Sequence, residues 1–454
     1  MTDIFRHLFS DVCHPKIRRI FVMAYTTGTL TYIAGGPIEG AWKLWEYTTT
    51  DTLAQVTAAG YITDATFKGM SLGDFVIVVN QTNPQGYILQ VQSLTTGTMS
   101  VSGTATLAAP AGVGGSQLAF PRNIVDGGDF TTNPWQRGTS FTAIASTLTY
   151  TADRFFAVGG AASSISVSQV TGVTAVLGFS QALQFGRAAA NANTVVITLG
   201  QIVETLDAIR AQGQTVTLSF WALAGANWSP ASGNLNVQLV SGTGTNQSAA
   251  SAVAGTWTGF SSLTLTPAQG TAAAAANIAQ PITTTWTRYA FTAQVPAGCT
   301  ELGVLFNATP VGTAGAADFV QIMGVQLEIG AQATPFEHRD IELELAIAQR
   351  YFFNIPEPAS GVVVGAGMVA GATSEIIFIP LPVQMRAAPT VTVSAGSFKF
   401  NLAGVATAVG TFAAGTTHTP NYISVTGNAA GTAGQGTLLQ GGGGAGFIQA
   451  SADF

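Results

Sequence analysis

Two tryptophans stand in surroundings suited to ligand contact. Trp228 sits in Ala-Gly-Ala-Asn-Trp-Ser-Pro and Trp257 in Ala-Gly-Thr-Trp-Thr-Gly-Phe, and the small residues around each read as loops. An exposed indole offers a flat apolar face to the C–H surface of a sugar ring, while polar neighbours reach the hydroxyls. The other use of such a ring is to plug one end of a β-sandwich. Both uses stay open for Trp228 and Trp257 at this point.

Carboxylates invite a hydrolytic reading. Asp126, Asp129, Asp153, Asp318 and Glu328 are spread along the middle of the chain. Glycoside hydrolysis needs two acids held several ångströms apart across a cleft, and nothing in their spacing pairs them. Arg154 follows Asp153 and Arg339 precedes Asp340, a pattern that reads as structural ion pairs or interface contacts. Four scattered histidines do not gather metal ligands, and no loop repeats acids at alternate positions as a calcium loop does. Cys13 and Cys299 can close one bridge at most. The Gly-Val-Gly-Gly and Gly441–Gly444 runs lack the Lys-Ser/Thr partner that phosphate binding requires. The expectation is a protein that is not an enzyme, with no cofactor and no metal.

Only 8% of the 454 residues are charged, about a third of the usual share. Twenty-six Phe and 7 Trp nevertheless supply cores, which separates this chain from a disordered Gly/Ser-rich one. A surface so poor in charge must be covered by Thr, Ser, Asn, Gln and backbone, which suits subunit contacts and sugar hydroxyls. Sixteen Lys+Arg against 22 Asp+Glu give a net charge of −6, so nucleic acid is not an expected partner. No window of about 18 strongly apolar residues supports membrane insertion.

Several elements can be placed by pattern. Residues 1–22 hold Arg6, Lys16, Arg18 and Arg19, and read either as an upstream extension before Met23 or as a basic arm for an acidic partner. Residues 23–107 form a β module: Ala41–Tyr47 is strand-like, Asp51–Gly60 a short helix, and Phe75–Asn80 a continuous apolar run expected to be buried on both faces. Tyr87–Val91 and Met99–Thr106 alternate as a hairpin. Residues 108–120 are a Pro/Gly/Ser-rich linker. Next, Ile202, Val203, Leu206 and Ile209 fit one face of a helix over roughly 199–212, which Gly213 stops. Strands follow at Thr215–Phe220, around Leu235–Leu239, at Tyr289–Phe291 and at Phe319–Ile329. In the last, the inward phase slips at Gly324, as a β-bulge would cause. Short strands broken by Gly/Asn/Ser turns predict an all-β chain of several β-sandwich (jelly-roll) domains with a few short helices.

An ordered set of motifs adds to this. Asn133-Pro-Trp-Gln-Arg-Gly-Thr-Ser-Phe141, Tyr150-Thr-Ala-Asp-Arg154, Gly213–Ala222, Thr285-Trp-Thr-Arg-Tyr289, Gly324-Val-Gln-Leu-Glu-Ile-Gly330, Ala333-Thr-Pro-Phe-Glu337 and Gln349-Arg-Tyr351 appear in that order. Together they resemble the carbohydrate-binding-module-like domain of bacteriophage tail fibre proteins. The resemblance implies a sugar-binding-type jelly roll over residues 121–338, on a fibre subunit that assembles as a homotrimer and contacts host polysaccharide. Such a protein would sit on the virion, on the tail or head surface, beside other virion structural proteins. The resemblance supplies no catalytic residues, and it places Trp135, Trp221 and Trp286 in motif segments expected to be core. Tyr47–Val79 separately resembles a short module of phage virion proteins found near an attachment end.

Residues 339–351 are expected to form a connecting helix with its acids (Asp340, Glu342, Glu344) at the start and Arg350 at the end, an order that suits the helix dipole. Its apolar residues Ile341, Leu345 and Ala348 on one stripe, with Leu343 and Ile347 on a neighbouring one, are expected to pack near a trimer axis or under a C-terminal β-sandwich tip, residues 352–454. Within that tip, Phe378–Val383, Met385–Val391 and Tyr422–Val425 are strand-like.

Overall fold

A computed structural model describes residues 30–35, 43–51, 53–57, 61–62, 69–80, 86–95 and 98–107 of a first unit (1–116). In a second unit (117–454) it describes 121–160, 165–173, 178–268, 273–371, 374–394, 396, 398–402, 404–408, 412–427 and 431–454. The expected arm at 1–22 and linker at 108–120 lie outside the described residues.

The first unit is a five-stranded sheet in chain order: Leu30–Gly35, Lys43–Thr49, Phe75–Asn80, Gly86–Thr95 and Thr98–Leu107. Only the second and third strands run parallel. A parallel pair needs a crossover, and the helix Leu53–Val56 lies within it. The helix expected over 51–60 is thus shorter among the described residues, and the Tyr61 hydroxyl donates to the Asp51 carboxylate beside it. Phe75–Asn80 also departs from expectation. Val76 and Val78 are buried, whereas Phe75 and Ile77 are half-buried and Val79 exposed, so the apolar run covers one core only.

The second unit begins with a sandwich of two seven-stranded antiparallel sheets. The first has at its centre Thr287–Gln294, Thr215–Ala224, Phe319–Ile329 and Gln181–Arg187. The second has Asn234–Gly242, Glu301–Ala308, Ile197–Val203 and Phe156–Val158. Inward alternation is as the sequence predicts: Val216, Leu218 and Phe220 meet Leu235, Val237, Leu239 and Phe306 in one core. The phase slip is also found. Ser219 pairs with Gln326 but Trp221 with Met323, and Gly324 takes a φ of 60° at the bulge.

Residues 199–212 correct the helical reading. Ile197–Val203 is a strand with all seven residues buried, and only Thr205–Ala208 and a 3-10 turn at Ile209–Ala211 are helical. A strand covered on both faces reads as a run of apolar residues, which a helical pattern imitates. Leu206 and Ile209 are exposed. Gly213, at φ 65°, ends the segment as expected.

Residues 352–454 form a three-stranded sheet (Phe352–Pro356, Phe447–Ser451, Thr390–Ser394) and a seven-stranded sheet, around a core that includes Ile377, Phe400, Val425 and Ile448. Strands lie at Ser374–Pro380 and Thr390–Ser394, so the expected strands at 378–383 and 385–391 overlap them only at 378–380 and 390–391, and the Pro-containing segment 381–389 between them is not strand. Helix Ile341–Gln349 joins this layer to the sandwich, with Asp340 at its N-cap and Arg350 at its C-cap. Within the chain it buries Glu344 and Ala348 and leaves Ile341, Leu343 and Leu345 exposed, so those three do not pack under the C-terminal layer.

Candidate functional site

The motif residues converge on a junction, where Arg350 and Tyr351 line a small recess of about 270 Å³ with Glu204, Asp126 and Arg339. Glu337 accepts from the backbone N–H groups of Arg122 and Asn123 at 3.0 and 2.7 Å. Asn133 Nδ2 donates to Gly127 O and Asp153 O, and Gln136 Nε2 donates to Phe352 O at 2.9 Å. Arg137 lies over the Phe352 ring at 3.6 Å and Arg154 over the Tyr351 ring at 3.5 Å. Arg350 and Tyr351 both hold Glu204, each at 2.7 Å. These side chains fasten the strand ends, the connecting helix and the first strand of the C-terminal layer to one another. Buried polar groups tolerate such a place only when partnered, which explains why so many motif positions are Asn, Gln, Arg and acid.

The five acids considered for hydrolysis are all spent on partners. Asp318 meets Arg187 at 2.7 Å, Asp129 meets His338 at 2.7 Å, and Asp153 meets Arg137 at 3.4 Å. Asp126 is 3.4 Å from both Arg154 and Arg339, and Glu328 is 3.4 Å from Arg122. The sequence neighbours Arg154–Asp153 and Arg339–Asp340 are therefore not the pairs formed. Arg154 reaches Asp126, and Arg339 reaches Asp126, Glu337 and Glu344. Burial pushes Asp153 up to about 6 against the pull of Arg137, and Glu344 up to about 7 against Arg339. Burial also pushes Glu204 upward, but its bonds from Arg350 and Tyr351 outweigh this and leave it below the usual range. Among the described residues no His, Cys, Asp and Glu group is arranged to hold a metal.

Trp257 is 3% exposed and packs with Phe156, Ile202, Val240 and Leu305 on the outer side of the second sheet. Its Nε1 donates to Ser248 O at 3.0 Å, fixing it to the short helix Ala249–Val253 that Ser248 caps. No indole face is left for a sugar. Gly200 and Gly303 let this cover sit close, since a Cβ at Gly200 would lie 2.7 Å from Leu305 and one at Gly303 would lie 2.9 Å from Ile202. Trp228 is half-buried against the main core and donates to Gly233 O at 3.1 Å in the loop it shares with Ser229. Trp135 is buried, and Trp221 and Trp286 pack half-buried on the same core.

The cover ends partway along the sheet, and beside it lies a trough of about 430 Å³. Its floor is the outward row of the central strands, where Asn307 pairs across with Thr198 on one side and Asn236 on the other. Outward positions alternate with the core-facing Leu235, Val237, Phe306 and Ala308, so polar side chains here cost no core. Thr198 Oγ1 donates to Asn307 Oδ1 at 2.7 Å, Asn307 Nδ2 to Gln238 Oε1 at 3.2 Å, and Gln238 Nε2 to Ser262 Oγ at 2.6 Å. Each amide nitrogen in that chain keeps a second N–H, and the chain fixes which way it points. The amides of Asn236 and Asn277 carry no hydrogen bond among the described residues. Phe260, Val253 and Val196 supply apolar walls, and no charged side chain lines the trough. Oriented neutral donors and acceptors beside an apolar wall match a hydroxyl-rich, uncharged ligand.

Sequence reading missed these residues because the trough draws one or two from each of several strands. Only the alternation Leu235, Val237, Leu239 could have pointed to Asn236 and Gln238 as outward-facing.

No protein-family model and no curated protein matches the chain. Among solved structures it is similar to the enzymatically active domain of bacteriophage CBA120 tailspike protein 4, at 14% identity and a TM-score of 0.25 over 46% of this chain. The chain spans 21% of that tailspike chain. It is also similar to a CBM4, at 17% identity and TM-score 0.21, over 33% of this chain and 70% of that one. A third likeness is to a putative sugar binding protein from Bacteroides thetaiotaomicron, at 13% identity and TM-score 0.25, over 46% of this chain and 99% of that one. These are likenesses of β-rich fold.

Proposed function

We propose that the chain is a bacteriophage virion fibre subunit, of a tail fibre in the first instance, that adheres to host surface polysaccharide without cleaving it. The observation that carries the sugar-binding half is the trough: Asn236, Gln238, Asn277, Asn307 and Thr198 present neutral hydrogen-bonding groups beside Phe260, with no carboxylate to act as acid or base. The fibre half rests on the ordered motifs of residues 133–351. Contacts of this kind are individually weak, and a homotrimer displayed in several copies raises avidity through effective concentration. The test is adsorption. Purified protein binds host cells and its antibody blocks phage adsorption; absence of both contradicts the proposal.

A second reading, a head fibre or decoration protein without a receptor, is favoured by one observation: the motif residues build the junction between the sandwich and the C-terminal layer. Labelling the protein on the intact particle separates the two.

A further inference from the structure

The opposite face of the sandwich carries a different chemistry. Arg288, Ala290 and Thr292 point outward from the strand Thr287–Gln294, whose alternate residues Phe291 and Ala293 face the core. With Ala331, Gln332 and Ala333 of the following loop they line a trough of about 470 Å³, and Arg288 is its one charged lining residue.

Arg288 differs from the other arginines among the described residues. Arg122, Arg137, Arg154, Arg187, Arg210, Arg339 and Arg350 each reach a carboxylate oxygen at 3.4 Å or closer. Arg386 donates to the Ala452 and Asp453 carbonyls and lies over the Phe454 ring. Arg288 uses only Nη2, toward Ser219 Oγ at 3.1 Å and the Thr334 carbonyl. Among the described residues its Nε and Nη1 have no partner, and no carboxylate pairs with it. Glu328, whose charge acts on it, is already held by Thr334, Gln326 and Arg122. The two bonds made by Nη2 hold the guanidinium plane at the mouth of the trough. A guanidinium so held keeps Nε–H and the Nη1 N–H groups for an anion, so a carboxylate in the trough meets a fixed positive charge through a single charge-assisted hydrogen bond and not through a bidentate pair.

We infer that Arg288 is the anchor of a second glycan subsite, on the sheet face opposite the amide trough, that takes the carboxylate of an acidic sugar such as a uronate. The inference rests on the sugar-binding reading only for the class of molecule. The two faces then divide the work: one takes neutral hydroxyl-rich units, the other the acidic units of a surface polysaccharide.

The test is calorimetric titration of the full chain with an α-1,4-linked D-galacturonate trisaccharide and with its carboxyl-reduced neutral counterpart. The wild type is expected to bind the acid at least about tenfold more tightly than the neutral form, with the difference shrinking in high salt. Arg288→Ala should abolish that preference and Arg288→Lys should keep part of it. Gln332→Glu, at an exposed loop position that leaves the core intact, should abolish it by placing a carboxylate beside Arg288. No acid preference in the wild type, or an unchanged preference in both Arg288→Ala and Gln332→Glu, overturns the inference. A double Asn236→Ala/Asn307→Ala variant should still bind the acid. If that variant loses the acid while Arg288→Ala keeps it, the ligand sits in the amide trough and this subsite is refuted, with the proposed function left standing.

Discussion

Thr198 and Asn307 face each other across neighbouring strands, and the threonine hydroxyl donates to Asn307 Oδ1 at 2.7 Å. This bond turns the Asn307 amide so that Nδ2 points along the sheet toward Gln238. The polarity of the whole row follows from one hydroxyl. Thr198→Val keeps the shape but removes the donor, leaving Asn307 free to flip. Glycan affinity should fall about three- to tenfold, the loss expected of one hydrogen bond, with the unfolding midpoint almost unchanged. Amide side-chain chemical shifts of Asn307 read the reorientation directly.

Trp257 provides a contrast between packing and recognition. Its ring fills the satellite core under the helix Ala249–Val253. Trp257→Ala should destabilise the protein by about 3–5 kcal/mol, as large-to-small core substitutions do. Trp257→Phe should cost less and leave glycan affinity intact. A ligand-stacking tryptophan would give the reverse pattern in denaturant titration and binding.

Gly324 carries the bulge that re-phases the strand Phe319–Ile329. Its φ of 60° strains any other residue, and a Cβ there would lie 2.6 Å from the Phe179 ring. Gly324→Ala should lower stability by about 1–3 kcal/mol, measured by denaturant midpoint. Pairing Gly324→Ala with Phe179→Leu should recover the steric part and not the backbone part.

The junction sets a pH dependence. Glu344 is raised from 4.5 to about 7 and Asp153 from 3.8 to about 6, both by burial. A raised folded-state pKa means that the folded protein holds the proton more tightly, so this stability is complete below the unfolded values and is lost as pH rises through the folded ones. Thermal unfolding of residues 117–454 should therefore fall by several degrees between about pH 5 and about pH 8. Glu204, lowered by Arg350 and Tyr351, acts in the other direction, and its share is lost only as pH falls below the ordinary range. Glu344→Gln should flatten the decline near pH 7.

Much of this was legible in the sequence, and the parts that were not share a cause. Alternation at Val216, Leu218 and Phe220 gave the strand and its buried face, and the slip at Gly324 gave the bulge, because both depend on nearest neighbours. Ile197–Val203 was misread as helix because a strand buried on both faces loses its alternation. The ion pairs were misassigned because Arg154 reaches Asp126, 28 residues away, and not the adjacent Asp153. The exposure of Leu343 and Leu345 was missed for the reverse reason: Glu344 is drawn inward by the Gly127 N–H and Arg339, and a helix that buries an acid turns its apolar residues out. The trough was beyond reach, since Thr198, Asn236 and Asn307 meet only through sheet register.

The most direct test of the account is titration of host surface polysaccharide fragments into wild type, Asn307→Ala and Asn236→Ala, with fragment length checked before and after. The account predicts saturable binding by the wild type, a loss of at least about tenfold, or roughly 1.4 kcal/mol, in each variant at unchanged unfolding midpoint, and fragments of unaltered length. Equal affinity in all three proteins, or shortened fragments, would contradict it.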